Sequence, residues 1–248
     1  MNSYYVEHER TNQVKAIYPS KAISSRKIIT PFFQPIDNLN KKTLGFEVLA
    51  RKFSHGFYNN INFSKLNAEK ILAIDIEILN KVFNQMSAIR THNYEFISIN
   101  LTPVKPSNYY CNKLFSTVKE AANNGINIWI EIAEHTQVQK RHMELIEQLK
   151  QYDNVKIALD DFGSKESHFQ RIFNIDFDII KLDRQILLSA AENEHSSQVF
   201  NSLVNYFQEM GKMVLCEGIE TVDQLNIVKS ATVDFIQGFF LGKPSPYY

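Results

Sequence analysis

Short apolar or β-branched runs recur along the chain at 31–36, 44–50, 95–101, 126–132, 155–159, 177–182, 212–216 and 233–236. Each has the length and character of a buried strand. Between most of them lie longer stretches with apolar residues at helical spacing. Within 63–86 these are Leu66, Ile71, Leu72, Ile74, Ile78, Leu79, Val82 and Phe83. Within 198–210 they are Val199, Phe200, Leu203, Val204 and Phe207, and a third such stretch covers 222–228. Strands alternating with helices predict βα units and a largely parallel sheet. Eight of them predict an α/β fold closed as a (β/α)8 barrel of the TIM type. The first link, 37–42, is short and polar. It suits a hairpin, so the first strand is expected to run antiparallel. Residues 1–29 read as an N-terminal arm and 30–248 as one barrel domain.

Composition narrows the function classes. Of 248 residues, 44% are hydrophobic, and 27 basic side chains balance 27 acidic ones. A net charge of zero argues against bulk binding to a nucleic-acid polymer or an anionic membrane, and leaves a small anionic ligand open. No run approaches the roughly 20 apolar residues of a membrane helix, and the N-terminus has no signal-peptide core. Cys111 and Cys216 make no disulfide framework. A reduced, cytoplasmic protein is the expectation.

The polar residues that break the strand runs fall at strand ends. Glu47, Asn100, Glu131, Asp160 with Asp161, Lys181 with Asp183, Glu217 and Gln237 each close or follow a run. Each has a structural reading: Asp161 can cap the next helix, Asn100 can form a turn, and Lys181 can pair with Asp183 on one strand face. Together they fall where barrel enzymes keep their sites. Adjacent Asp160 and Asp161 oppose each other unless a cation binds both. Carboxylates and an amide oxygen without histidine form a hard oxygen shell, suited to Mg²⁺ or Mn²⁺ rather than zinc. Several carboxylates can hold two such ions about 4 Å apart for attack on a phosphodiester. Lys181 can orient the attacking water, and Arg51 can clamp a phosphate oxygen.

Competing motifs are absent. None of the seven histidines is followed by Asp or forms His-Glu-x-x-His, and no Gly-x-Ser-x-Gly elbow occurs. Gly238-Phe239-Phe240-Leu241-Gly242-Lys243 is one residue too short for a phosphate loop, and Pro244 stands in the place of its Ser or Thr.

The ordered motifs resemble the EAL domain, a bacterial cyclic di-GMP phosphodiesterase module. They are Phe33-Gln34-Pro35-Ile36, Glu47-Val48-Leu49 with Arg51, Ser98-Ile99-Asn100-Leu101, Glu131-Ile132-Ala133-Glu134, Asp160-Asp161-Phe162-Gly163, Lys181-Leu182-Asp183, Glu217-Gly218-Ile219-Glu220 and Gln237-Gly238. The resemblance implies a barrel with an antiparallel first strand and hydrolysis of cyclic di-GMP to linear pGpG. It implies a second-messenger role in biofilm formation and motility. By motif position, Glu47, Asn100, Glu131, Asp160, Asp161 and Glu217 are implied metal ligands for Mg²⁺ or Mn²⁺, with Ca²⁺ inhibitory. The resemblance further implies that Lys181 positions the attacking water and that Asp183 orients Lys181. Glu217 and Gln237 are implied to support the metals, directly or through water. Gln34, Leu49, Arg51 and Gln237 are implied on the nucleotide side. Glu134 tethers the loop after Asp161, which in this family links the metal site to a homodimer interface.

The chain departs from the family pattern in that loop. Ser164-Lys165-Glu166-Ser167 replaces the usual Thr-Gly-aromatic-Ser, Ala133 stands where threonine is usual, and Asp176 where proline is usual. These changes bear on loop motion, dimer coupling and turnover. They motivate an alternative: an EAL-like module with little or no turnover that binds cyclic di-GMP or a protein partner. With no sensory segment expected beside the barrel, control is expected through expression, dimerisation or a partner.

Overall fold

The structure, a computed structural model, describes residues 14–15, 28–54, 56–164, 172 and 174–246. Most of the expected N-terminal arm, together with Lys165 and Glu166, lies outside the described residues. The strands are β1 (Val14–Lys15), β2 (Ile28–Asp37), β3 (Thr43–Ser54), β4 (Phe57–Asn60), β5 (Phe96–Asn100), β6 (Asn127–Ala133), β7 (Val155–Phe162), β8 (Ile179–Leu182), β9 (Met213–Cys216) and β10 (Phe235–Ile236). β3 pairs with β5 and β10 pairs with β2, so eight strands close into a barrel in the order β2-β3-β5-β6-β7-β8-β9-β10. β2 runs antiparallel to both its neighbours, and the other pairings in the ring are parallel. The hairpin expected from the short 37–42 link is therefore present. β4 and β1 extend the sheet beyond β3 as an antiparallel flap that the apolar pattern did not signal.

The helices are α1 (Ala68–Phe83), α2 (Met86–Thr91), α3 (Asn108–Asn123), α4 (Lys140–Leu149), α5 (Arg184–Ala190), α6 (Glu194–Glu209) and α7 (Val222–Ser230). The single helix expected over 63–86 is broken. Phe63–Lys65 forms a 3-10 turn, and α1 starts only after Asn67, whose side chain accepts from the Lys70 amide. α3 was hidden by its polar composition. Its buried stripe, the adjacent Tyr110 and Cys111 followed by Leu114, Val118 and Ala121 at steps of three to four, runs among Asn, Lys and Glu. Cys111 and Cys216 are free and buried. Among the described residues, no helix is long and apolar enough to cross a membrane.

Strand alternation places the core and the site. Outward residues such as Ile97, Ile99, Ile130, Ile157, Ile180 and Val214 are buried in the main core shared with the helices. Inward residues Ile36, Phe96, Trp129, Ala158, Ile179 and Leu215 form a separate apolar floor. The Phe96 and Trp129 rings stack with centroids 3.6 Å apart, and the Phe235 ring meets Trp129 edge-on at 4.9 Å. Gly45 makes room for this floor, since a Cβ there would lie 2.4 Å from the Phe96 carbonyl oxygen and 2.6 Å from its ring. One inward position further along, toward the C-terminal mouth, the side chains turn polar.

Candidate active site

That next layer holds Glu47, Ser98, Glu131, Asp160, Lys181, Glu217 and Gln237. Six of the seven stand two residues beyond a residue of the floor or, for Glu47, two beyond Gly45. Gln237 follows Phe235 in the same way. Their convergence is thus a result of barrel closure and the two-residue period of strands.

Lys181 is the centre. Its side chain is fully buried, and Nζ lies 2.6 Å from Asp160 Oδ1, 2.7 Å from Glu131 Oε1, 2.8 Å from Glu217 Oε1 and 3.7 Å from Glu47 Oε2. Burial alone would lower this ammonium's pKa, but Asp160, Glu131, Glu217 and Glu47 outweigh it and hold it well above the usual lysine value. Glu131 is buried as deeply, and desolvation raises its carboxyl well above the carboxylate range against the pull of Lys181. Burial pushes Glu217 up to about 8 in the same way.

Asp160 and Asp161 would normally face opposite sides of β7. They do not, because the strand carries a bulge there. The β7–β8 register runs Leu159↔Ile180 and resumes at Phe162↔Leu182, so two aspartates stand against Lys181 alone. Asp161 takes φ 60°, left-handed backbone that aspartate tolerates better than most residues. The result is that Asp160, Asp161 and Glu217 each offer an oxygen within 4.8 Å of the others. Desolvation, followed by the neighbouring Asp160, pushes Asp161 up to about 6. The bulge is tied down by its surroundings. The Glu134 amide donates to the Asp160 carbonyl at 2.9 Å, and the Gly163 amide donates to Glu134 Oε2 at 3.0 Å.

The remaining sequence-selected residues lie around this cluster. Gln237 Nε2 donates to Glu47 Oε2 at 2.8 Å. Gln34, paired opposite Glu47 across the β2–β3 hairpin, lines a small cleft of about 220 Å³ with Glu217, Gln237 and Phe239. Leu49, Arg51, Asn100 and Asp161 line a second cavity of about 610 Å³ on the other side. Burial lowers the Arg51 guanidinium's pKa against the pull of Glu47. Asn100 is exposed at the rim, one inward position above Ser98. Asp183 is placed differently from the expectation that it orients Lys181. It caps α5, Oδ1 accepting from the Gln185 amide at 2.8 Å, and among the described residues no Lys181 ion pair runs to it.

The EAL domain family model matches residues 20–244. The chain belongs to this family. It is 28% identical over 243 residues to a protein of Escherichia coli K12 named probable cyclic di-GMP phosphodiesterase PdeG, covering 92% of this chain and 46% of the relative. The chain thus spans less than half the length of that protein. Among solved structures it resembles the EAL enzyme Bd1971 in a cAMP-bound form, with a TM-score of 0.75 at 22% identity, covering 88% of this chain and 63% of the other. It also resembles a stand-alone EAL protein of Vibrio cholerae O395 in a form bound to c-di-GMP, with a TM-score of 0.69 at 22% identity, covering 90% and 94%. At such identity these two likenesses bear on the fold, which is the EAL barrel.

Three polar features of this EAL barrel were not singled out from sequence. Ser98 donates to Glu131 Oε1 at 2.5 Å; its signal was its position two residues before Asn100, on the same strand face. Arg184 forms a two-pronged pair with Glu220, both contacts at 2.9 Å, joining the ends of β8 and β9. Asp75 is an acid in the apolar pattern of α1 and lines the larger cavity, where burial pushes it up to about 6.

The donor set fits a divalent cation. Four carboxylates, those of Glu47, Glu131, Asp160 and Glu217, converge on one ammonium, and a fifth, Asp161, stands within reach of Asp160 and Glu217. Glu131 Oε2 is buried with no hydrogen-bond partner among the described residues. An acceptor left so is costly unless a cation meets it.

Proposed function

We propose that this chain hydrolyses cyclic di-GMP to linear pGpG and so lowers the level of that second messenger. The observation that carries this reading is the set of four carboxylates around buried Lys181, with Asp161 beside them, open to a cavity on either side. The name of the PdeG relative and the membership of the EAL family support it.

Glu47, Asn100, Glu131, Asp160, Asp161 and Glu217 are the residues that would hold Mg²⁺ or Mn²⁺. When bound, such ions supply Lewis acidity at the phosphate and lower the pKa of water. The chain's own groups do the rest. Lys181 keeps its proton and offers positive charge and donors to water and to a phosphate oxygen. Asp161 is held by the bulge beside Asp160, so its carboxylate needs no rearrangement to take part. Arg51 faces the larger cavity and is poised to bind a nucleotide phosphate, with Leu49 packing against the ligand. Gln34 and Gln237 serve the opposite side. Ca²⁺, which prefers more ligands and looser geometry, would be held by the same carboxylates without supporting turnover.

The Gly163–Glu134 hydrogen bond anchors the start of the loop that, in this reading, couples the site to a homodimer interface in the cytoplasm. The replacement of the usual glycine and aromatic by Lys165 and Glu166 favours a second reading, a module that binds cyclic di-GMP or a protein partner without turnover. One experiment separates the two. Purified protein is incubated with cyclic di-GMP and Mn²⁺, and pGpG is measured beside Glu47→Ala. Hydrolysis by the wild type alone supports the enzyme. Cyclic di-GMP binding without pGpG would leave the binding module.

A further inference from the structure

Ser98 is the small neutral member of the charged layer. It is fully buried on β5, in register with Glu47 of β3 on one side and next to Glu131 of β6 on the other. Its hydroxyl donates to Glu131 Oε1 at 2.5 Å, the oxygen that also takes the Lys181 ammonium at 2.7 Å. The two oxygens of Glu131 are therefore unequal. Oε1 carries both partners, and Oε2 is buried with none among the described residues.

This asymmetry is not set by Lys181 alone. That ammonium sits among four carboxylates and would attract either oxygen of Glu131. The terminal torsion of a glutamate is soft, so charge attraction by itself leaves the carboxylate free to turn. A second donor on one oxygen fixes the plane and aims the other oxygen away. Groups that orient a metal-binding side chain through its non-coordinating atom commonly contribute ten- to a hundredfold in metal affinity.

We propose that Ser98 is a positioning residue. It holds Glu131 Oε1 against Lys181 so that Oε2 is the oxygen presented to a divalent cation. The proposal rests on the metal-binding reading of the site but not on the identity of the substrate.

The test is Mn²⁺ binding without nucleotide, followed by the loss of the free-ion electron paramagnetic resonance signal, for wild type, Ser98→Ala, Ser98→Thr and Ser98→Cys. Melting temperatures are taken in chelator. Ser98→Ala is expected to bind Mn²⁺ about tenfold more weakly. Ser98→Thr keeps the hydroxyl and is expected to recover most of the affinity. Ser98→Cys fills the same space with a weak donor and is expected to follow alanine; it also carries the test if the alanine variant does not fold. Wild-type affinity in Ser98→Ala or Ser98→Cys overturns the proposal. So does weakened binding that tracks the metal-free melting temperature and is not recovered by threonine. Tight Mn²⁺ binding by a wild type that makes no pGpG would overturn the proposed reaction and leave the role of Ser98 standing. Absence of Mn²⁺ binding by the wild type overturns both.

Discussion

Gln237 Nε2 donates to Glu47 Oε2 at 2.8 Å, joining residues 190 positions apart at the place where the barrel closes. A neutral amide here separates two stretches of carboxylates. Gln237→Glu would set a sixth acid against Glu47 with no further cation. The metal-free variant is expected to lose about 2 kcal/mol, or roughly 4–8 °C in Tm, and to regain most of it in excess Mn²⁺. An unchanged Tm in chelator would show that Gln237 has no such insulating role.

Asp161→Asn tests the other crowded pair. Asn accepts left-handed backbone as well as Asp does, so the bulge at φ 60° persists while one of two neighbouring charges is removed. The metal-free Tm is expected to hold or rise, while hydrolysis of cyclic di-GMP drops by more than tenfold. A lower Tm in chelator would mean that the carboxylate stabilises the empty site.

Asp75 gives a pH dependence away from the carboxylate ring. Burial raises its pKa from 3.8 to about 6, and its Oδ2 has no hydrogen-bond partner among the described residues. The folded protein therefore holds this proton more tightly than the unfolded chain. Its contribution to stability is greatest below pH 4, declines as pH rises toward 6, and stays low above that. Asp75→Asn is expected to remove this decline and to add about 2 kcal/mol near pH 7. Urea unfolding of both proteins between pH 4 and 8 checks it; parallel curves would refute it.

Gly45→Ala tests the floor beneath the site. The added methyl would meet the Phe96 carbonyl and ring, and neither can move without disturbing the Phe96–Trp129 stack. A loss of about 3 kcal/mol or more is expected in urea unfolding, typical of severe overpacking against backbone. A loss below about 1 kcal/mol would mean that β3 shifts freely there.

Much of this was legible in the sequence because barrel strands announce themselves twice. The apolar runs marked all eight ring strands, and polar residues at the ends of the seven parallel ones marked the mouth. The short 37–42 link gave the antiparallel β2. What stayed hidden depended on pairing partners. The β4 flap is too short and too polar to read alone, and α3 buries only a stripe. Ser98 looks like any strand serine until closure brings Glu131 beside it. Asp183 illustrates the converse. Its position two after Lys181 is that of a same-face partner, yet the start of α5 takes its carboxylate as a cap.

The bulge in β7 has one more consequence. Regular rungs between β7 and β8 stop at Leu159 and resume at Phe162. In that gap β7 and β8 are joined by a side-chain contact, the Lys181–Asp160 ion pair at 2.6 Å, while the Asp160 carbonyl accepts from the Glu134 amide on the β6 side and the Asp161 carbonyl from the Ser164 amide in the following turn. The barrel thus carries a seam, and the two adjacent aspartates are its edge. At this one joint of the ring a charge pair stands in for backbone rungs, so the cohesion of the wall and the ionisation of the site are the same quantity.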